Sequence, residues 1–138
     1  EWINGHKDEV RIGAGVAIVL LAAAGAVGYF QSQRAREADR AFRDALTAFE
    51  SPVATELAPG APRPAGQVFA TAEERYKTAA AAFEGVERRF GSSRTALRAR
   101  YYEALSRIEL GQYPEAEKAL QAIQSKGSGL EPELALRR

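Results

Sequence analysis

The sequence predicts an all-α protein in which a single transmembrane helix continues into an antiparallel stack of helical repeats. Three observations predict it. Residues 12–30, "IGAGVAIVLLAAAGAVGYF", run for 19 residues without one charged side chain. The stretch "YKTAAAAFEGV" at 76–86 is echoed by "YPEAEKALQAI" at 113–123, a period of 37 residues. Around both copies, apolar residues recur at three- and four-residue spacing between recognisable helix starts and stops.

The chain opens on a polar tail, residues 1–11, with Trp2 and Ile3 as candidate interfacial anchors. It contains no Met, which predicts a processed or trimmed chain whose gene product extends before Glu1. As a helix, residues 12–30 would reach about 28 Å, close to the hydrocarbon thickness of a bilayer. A buried core helix and the apolar region of a signal peptide are the competing readings. A signal peptide would close on a small-residue cleavage site followed by unrelated sequence. Here the run passes through Tyr29 and Phe30, an interfacial aromatic pair, into "QSQRAREADRAF" without a breaker. That continuity predicts a retained anchor. The mean hydropathy of −0.32 averages this segment with a polar remainder rich in Arg and Glu.

Inside the anchor, Ala22 with Ala26, Ala24 with Gly28, and Gly13 with Ala17 form small-xxx-small pairs. Such spacing lets another transmembrane helix approach closely, although Ala-rich anchors also occur without one.

Beyond residue 30 the helix can continue to about Ser51, because the first proline is Pro52. Over residues 31–51, Ala38, Phe42, Ala45, Leu46 and Phe49 share one face, and that face needs a cover. Residues 52–70 carry Pro52, Pro59, Pro62 and Pro64, so no regular helix survives there. The stretch reads as an extended, exposed insertion in preference to a proline-rich docking motif.

"TAEE" at 71–74 offers a capping box, Thr71 accepting from the Glu74 amide while the Glu74 carboxylate reaches back to the cap. The helix it opens runs to about Phe90 and stops at "GSS". A second runs from about Thr95 to Leu110 and stops at Gly111. A third runs from about Pro114, suited to a first turn, to Lys126, with Gly127 beyond it. Residues 127–138 look like the start of a further, incomplete helix.

Repetition at a period of 20 to 50 residues signals stacked helical units, each covering the apolar stripe of the next. The expected seam is Tyr76, Ala79, Phe83 and Val86 in one copy and Tyr113, Ala116, Leu120 and Ile123 in the other. Ala79 and Ala116 would let helix axes approach, Phe83 and Leu120 would plug the groove, and Val86 and Ile123 would complete it. An ordinary three-helix bundle of Ala-rich helices is the competing arrangement.

The stretch "YKTAAAAFEGVERRFGSS" followed by "ALRARYYEALSRIELGQYPEAEKALQAI" resembles bacterial tetratricopeptide-like (TPR-like) repeats over residues 76–123, about one and a half repeats. An anchor followed by such repeats is similar to the ancillary subunit of the Sec translocon and to periplasmic envelope repeat proteins. The resemblance implies a TPR-like α-solenoid that holds other proteins. Three departures bear on a standard peptide-binding groove more than on the architecture. The period is 37 residues, Arg100 and Glu103 stand where large apolar residues are usual, and Ser128 replaces the terminal proline.

Little chemistry is written in the chain. His6 is the only histidine and there is no cysteine, so imidazole and thiol chemistry and the usual metal sets are not expected. Gly13, Gly15 and Gly28 follow no strand and open no phosphate loop. Glu73, Glu74, Glu84 and Glu87, interleaved with Arg75, Lys77, Arg88 and Arg89, read as a solvated face laced with ion pairs. Past Arg11 the chain has 17 Lys and Arg against 15 Asp and Glu, which is not a nucleic-acid surface. On the second helix Leu97, Tyr101, Leu105 and Ile108 read as a core stripe. Arg94, Arg98 and Tyr102 lie on a neighbouring stripe, read as a solvated Arg face or as a contact surface for a partner.

The expectation is a non-enzymatic scaffold or adaptor of a bacterial envelope complex, anchored once in the inner membrane. Its partners would be other membrane protein subunits and the bilayer, with no cofactor, nucleic acid or small-molecule substrate. The alternative is a permanent accessory subunit of a large photosynthetic or respiratory complex. Lys7 and Arg11 flank the anchor on one side and Arg34, Arg36, Arg40 and Arg43 on the other. The positive-inside rule alone would put the C-terminal domain in the cytoplasm. The resemblance implies the periplasm, and the periplasm is the expectation here, because long domains cross largely regardless of charge.

Overall fold

The absence of any proline before Pro52 has a direct structural result. In the computed structural model, which describes residues 7–91 and 93–126, the first helix, α1, spans Lys7–Glu50. The remaining elements are a short 3-10 turn, Ala54–Glu56, and three helices: α2 (Ala72–Phe90), α3 (Arg94–Glu109) and α4 (Tyr113–Lys126). No strand occurs among the described residues. Trp2, Ile3, His6 and the segment 127–138 expected to begin another helix lie outside them.

The chain divides into two compact units, one ending at Arg36 and one beginning at Glu37. The first is the apolar part of α1. It is long and apolar enough to cross a membrane, and none of that stretch is buried. At its end the rings of Tyr29 and Phe30 meet edge to face at 6.0 Å. Gln33 Nε2 donates to the Tyr29 hydroxyl one turn away, at 2.9 Å.

The second unit begins with the amphipathic end of α1. Ala38, Phe42 and Ala45 are buried against Ala79, Phe83, Val86 and Phe90 of α2 and Ala96 and Ala99 of α3. Alanine at the points of closest approach lets the helix axes come together, and the aromatic rings fill the space between them. Phe42 and Phe83 lie 5.7 Å apart between ring centres, and Phe49 meets Tyr76 at the same distance.

The proline-rich stretch is mostly exposed, as expected, but its two ends are pinned together. Ala54 N–H donates to the Phe69 carbonyl at 2.8 Å and Phe69 N–H to the Pro52 carbonyl at 3.1 Å. Val53 and Phe69, facing each other in this isolated parallel bridge, are both buried. Two large apolar side chains at the ends of the loop thus extend the core, which a count of prolines does not foretell.

The helix starts are written locally. Thr71 Oγ1 accepts from the Glu74 amide at 3.1 Å, and Glu74 Oε2 accepts from the amide of Ala70, one residue before the cap. Ser93 caps α3, its hydroxyl accepting from the Ala96 amide at 3.1 Å, so the helix opens one residue earlier than expected. The stops are glycines that swing the backbone to positive φ. Gly91 closes α2 at φ +55° and Gly111 turns α3 into α4 at +74°, a conformation a side chain would strain.

The buried face of α3 differs from the expected one. Ala96, Ala99, Glu103, Ala104 and Ser106 are buried, whereas Leu97, Tyr101 and Leu105 are half-buried and Ile108 is exposed. At 100° per residue the Leu97–Ile108 stripe lies nearly opposite the face of Ala99 and Ser106. Small residues are selected where helices nearly touch, so on α3 size, not hydrophobicity, marks the packed side.

Candidate functional site

The residues expected to carry function fall into three groups. In the anchor, Gly13, Ala17, Ala22, Ala24, Ala26 and Gly28 are all exposed. A Cβ built on Gly13 or Gly28 meets nothing within 4 Å.

Of the repeat seam, Ala79, Phe83 and Val86 lie in the buried cluster, and Ala116 and Ile123 are buried on α4. Tyr76 and Leu120 are half-buried, while Tyr113 is 65% exposed. The two tyrosines differ because Tyr76 is clasped by the Phe49 ring and by the Arg75 guanidinium, 4.6 Å above its centre.

The three proposed partner contacts separate. Arg94 is exposed at the start of α3. Arg98 turns inward and lies over the ring of Phe42 at 4.7 Å. Tyr102 joins the aromatic cluster, 5.6 Å from both Phe42 and Phe49. Tyr102 and Arg98, both half-buried, thus close the α1–α3 contact, whereas Arg94 is exposed.

The polar face of α2 also departs from its reading. Lys77 and Glu73 form an exposed ion pair one turn apart, and the Lys77 hydrogen bond holds the Glu73 carboxyl below its ordinary range. Glu87, read as part of the same solvated face, has a side chain only 9% exposed. Its Oε2 accepts from Arg100 Nε, and its Oε1 is buried without a hydrogen-bond partner. Glu103 is buried beside it, with its Oε1 accepting from Arg107 Nε. Arg107 also reaches Glu84 at 3.7 Å and the Gln112 side-chain carbonyl at 3.2 Å.

Glu87, Arg100, Glu103 and Arg107 line an open groove of about 330 Å³ together with Glu115, Lys118, Ala119 and Ala122 of α4. Burial pushes the Glu87 carboxyl up to about 7, and the neighbouring Glu103 carboxylate adds to this, against the downward pull of Arg100. The residues that depart from the TPR-like pattern, Arg100 and Glu103, are therefore the core of this cluster. The sequence signal was there: two charges at positions where the resemblance to TPR-like repeats implied apolar side chains. Among the described residues no group of three or more His, Cys, Asp or Glu is placed to hold a metal ion.

Chemically, the cluster can hold a proton near neutral pH and hold two helices by charge-assisted hydrogen bonds. No protein-family model, curated protein or solved structure matches this chain.

Proposed function

We propose that this chain is a single-pass, membrane-anchored scaffold or adaptor that presents a TPR-like helical domain to other proteins of a bacterial envelope complex. The observation carrying this reading is the charge-free stretch of α1, exposed along its whole length. Leaving that much apolar surface in water would cost about 25 cal/mol for each Å². Lipid is the natural cover for a segment of this length. The domain that follows is helical over its described residues and offers helix surfaces to partners. A periplasmic location of that domain belongs to the same proposal.

A second reading has its own support. The open space around Gly28 and the small-residue pairs of the anchor suit lateral contact with another membrane helix. That favours a permanent accessory subunit of a photosynthetic or respiratory complex.

Membrane fractionation tests the anchor: the chain should stay in the pellet through an alkaline carbonate wash, and release into the supernatant ends both readings. Gentle solubilisation then separates them. An adaptor emerges with varied, substoichiometric clients that salt removes, and a subunit emerges with one complex at fixed stoichiometry.

A further inference from the structure

At the end of the charge-free stretch of α1 stands a polar column that neither reading uses. Tyr29, Gln33 and Arg36 follow one another at steps of four and three residues, so they share one face of the helix. Gln33 Nε2 donates to the Tyr29 hydroxyl at 2.9 Å. A phenol oxygen that accepts one hydrogen bond keeps its own proton for a further acceptor. Tyr29 is 62% exposed and Arg36 is exposed, so both are open to whatever surrounds the helix.

The level of the column and its charge identify the acceptor. Phe30, the last residue of the charge-free stretch, meets the Tyr29 ring edge to face. Aromatic side chains at the end of a span mark the depth where hydrocarbon gives way to headgroups. Arg36 lies six residues beyond Phe30, about 9 Å along the axis. Helical side chains lean toward the helix N-terminus, so the favoured reach of this arginine is back over Gln33, toward the headgroups. No Asp or Glu occurs between Glu9 and Glu37. Arg34, on the other side of the helix, adds a second cation at this level. The depth just outside the hydrocarbon is thus positive and supplied with donors, and the anions a bilayer offers there are lipid phosphates.

We propose that Tyr29, Gln33 and Arg36 form a headgroup site for an anionic phospholipid. The phosphate accepts from the Tyr29 hydroxyl and from the Arg36 guanidinium, while Gln33 holds the Tyr29 hydroxyl in place. A zwitterionic lipid brings its own cation beside the phosphate and competes with Arg36 for it, so the site favours a lipid of net negative charge. This inference rests on the membrane-anchored reading, to which it adds a lipid preference and a fixed depth for the anchor.

The test places the full chain in phosphatidylcholine bicelles and titrates in phosphatidylglycerol, with nitrogen-15 NMR following Arg36 Nε–H and the Gln33 side-chain amide. Both signals should shift and saturate. Arg36→Gln should raise the phosphatidylglycerol fraction at half-saturation, read on Gln33, about fivefold, the effect of one cation at a membrane surface. Tyr29→Phe, which removes one hydrogen bond, should raise it about two- to tenfold, read on Arg36. Arg88→Gln, which removes an exposed cation from α2, should leave it unchanged. Signals that ignore phosphatidylglycerol overturn the site, as does an unchanged half-saturation in Arg36→Gln or Tyr29→Phe. An equal loss in Arg88→Gln overturns it in favour of bulk charge. The same shifts produced by inorganic phosphate in plain phosphatidylcholine bicelles overturn it in favour of a simple anion contact. Failure of the anchored reading shows elsewhere: the chain then leaves phosphatidylcholine vesicles in a carbonate wash, and the site falls with it.

Discussion

The ring of Tyr102 stacks on that of Phe83, with centres 5.4 Å apart and planes 24° apart. This contact joins the middle of α3 to the middle of α2, and both rings also meet Phe42 and Phe49 from α1. Tyr102→Ala should therefore destabilise the helical domain by about 2–4 kcal/mol, and Phe83→Ala by about 3–5 kcal/mol. Urea unfolding of the chain in micelles, followed by far-ultraviolet circular dichroism, reads both. A loss below about 0.5 kcal/mol for Tyr102→Ala would return that residue to the surface role its sequence position suggests.

The order of the helices and the ends of α2, α3 and α4 were legible to within a residue because they depend on neighbours in sequence, whereas α1 begins at Lys7, inside the stretch read as a polar tail. Thr71, Ser93, Gly91 and Gly111 act within one turn, and the long α1 needs only the absence of proline. The inner face of α3 was not legible. Its buried residues include Ala96, Ala99 and Ser106, which carry little apolar signal, while the stripe with the strongest signal, Leu97 to Ile108, is left half-covered. Glu87 misled for a related reason. Charges four apart on a helix read as solvated, and only the arrival of Arg100 and Glu103 from α3 takes this carboxylate out of water. Both errors are tertiary, and no local pattern carries that information.

Close approach at Ala99 gives a second prediction. The residue is fully buried within the α1–α2–α3 cluster, so Ala99→Leu should overpack the contact and cost about 1–3 kcal/mol or more. Ala81→Leu, on the exposed side of α2, should change stability by less than about 0.5 kcal/mol. Equal effects in the same urea titration would mean that α3 does not approach α1 and α2 on its alanine face.

Arg75 fastens the proline-rich loop to the helices. Its Nη1 donates to the Ser51 carbonyl at 3.1 Å and pairs with Glu56 at 3.5 Å, and its Nη2 donates to the Tyr76 hydroxyl at 2.9 Å. Arg75→Ala leaves the buried Ser51 carbonyl without this donor and should cost about 1–3 kcal/mol. It should also speed proteolytic cleavage within residues 54–68. Lys77→Ala removes only an exposed ion pair with Glu73 and should be nearly silent. Protease sensitivity unchanged in Arg75→Ala would show that the Val53–Phe69 bridge alone holds the loop.

The absence of cysteine makes the side of the membrane directly measurable. Thr78 is exposed on α2, and Thr78→Cys adds one thiol to the helical domain without touching its core. A maleimide that cannot cross the inner membrane should label this variant in intact spheroplasts as fully as after lysis. Labelling only after lysis would place the domain in the cytoplasm, where the arginines at 34, 36, 40 and 43 would put it by charge alone.

The anchor allows a cleaner substitution than most helix faces. Among the described residues, and apart from the helix's own adjoining backbone, nothing lies within 4 Å of a Cβ at Gly28, and Ala24 is exposed. Ala24→Leu with Gly28→Leu should thus leave the helical domain's own unfolding curve unchanged, because neither residue belongs to its buried core. Any effect must come from another molecule. If a neighbouring transmembrane helix packs on the small-residue face, the two leucines hold it off, and the assembly seen on a native gel after gentle solubilisation should shrink or disappear. If that assembly survives intact, the small residues are only a feature of an Ala-rich anchor. The helical domain then makes the association by itself, as an adaptor would and a subunit packed through its membrane helix would not.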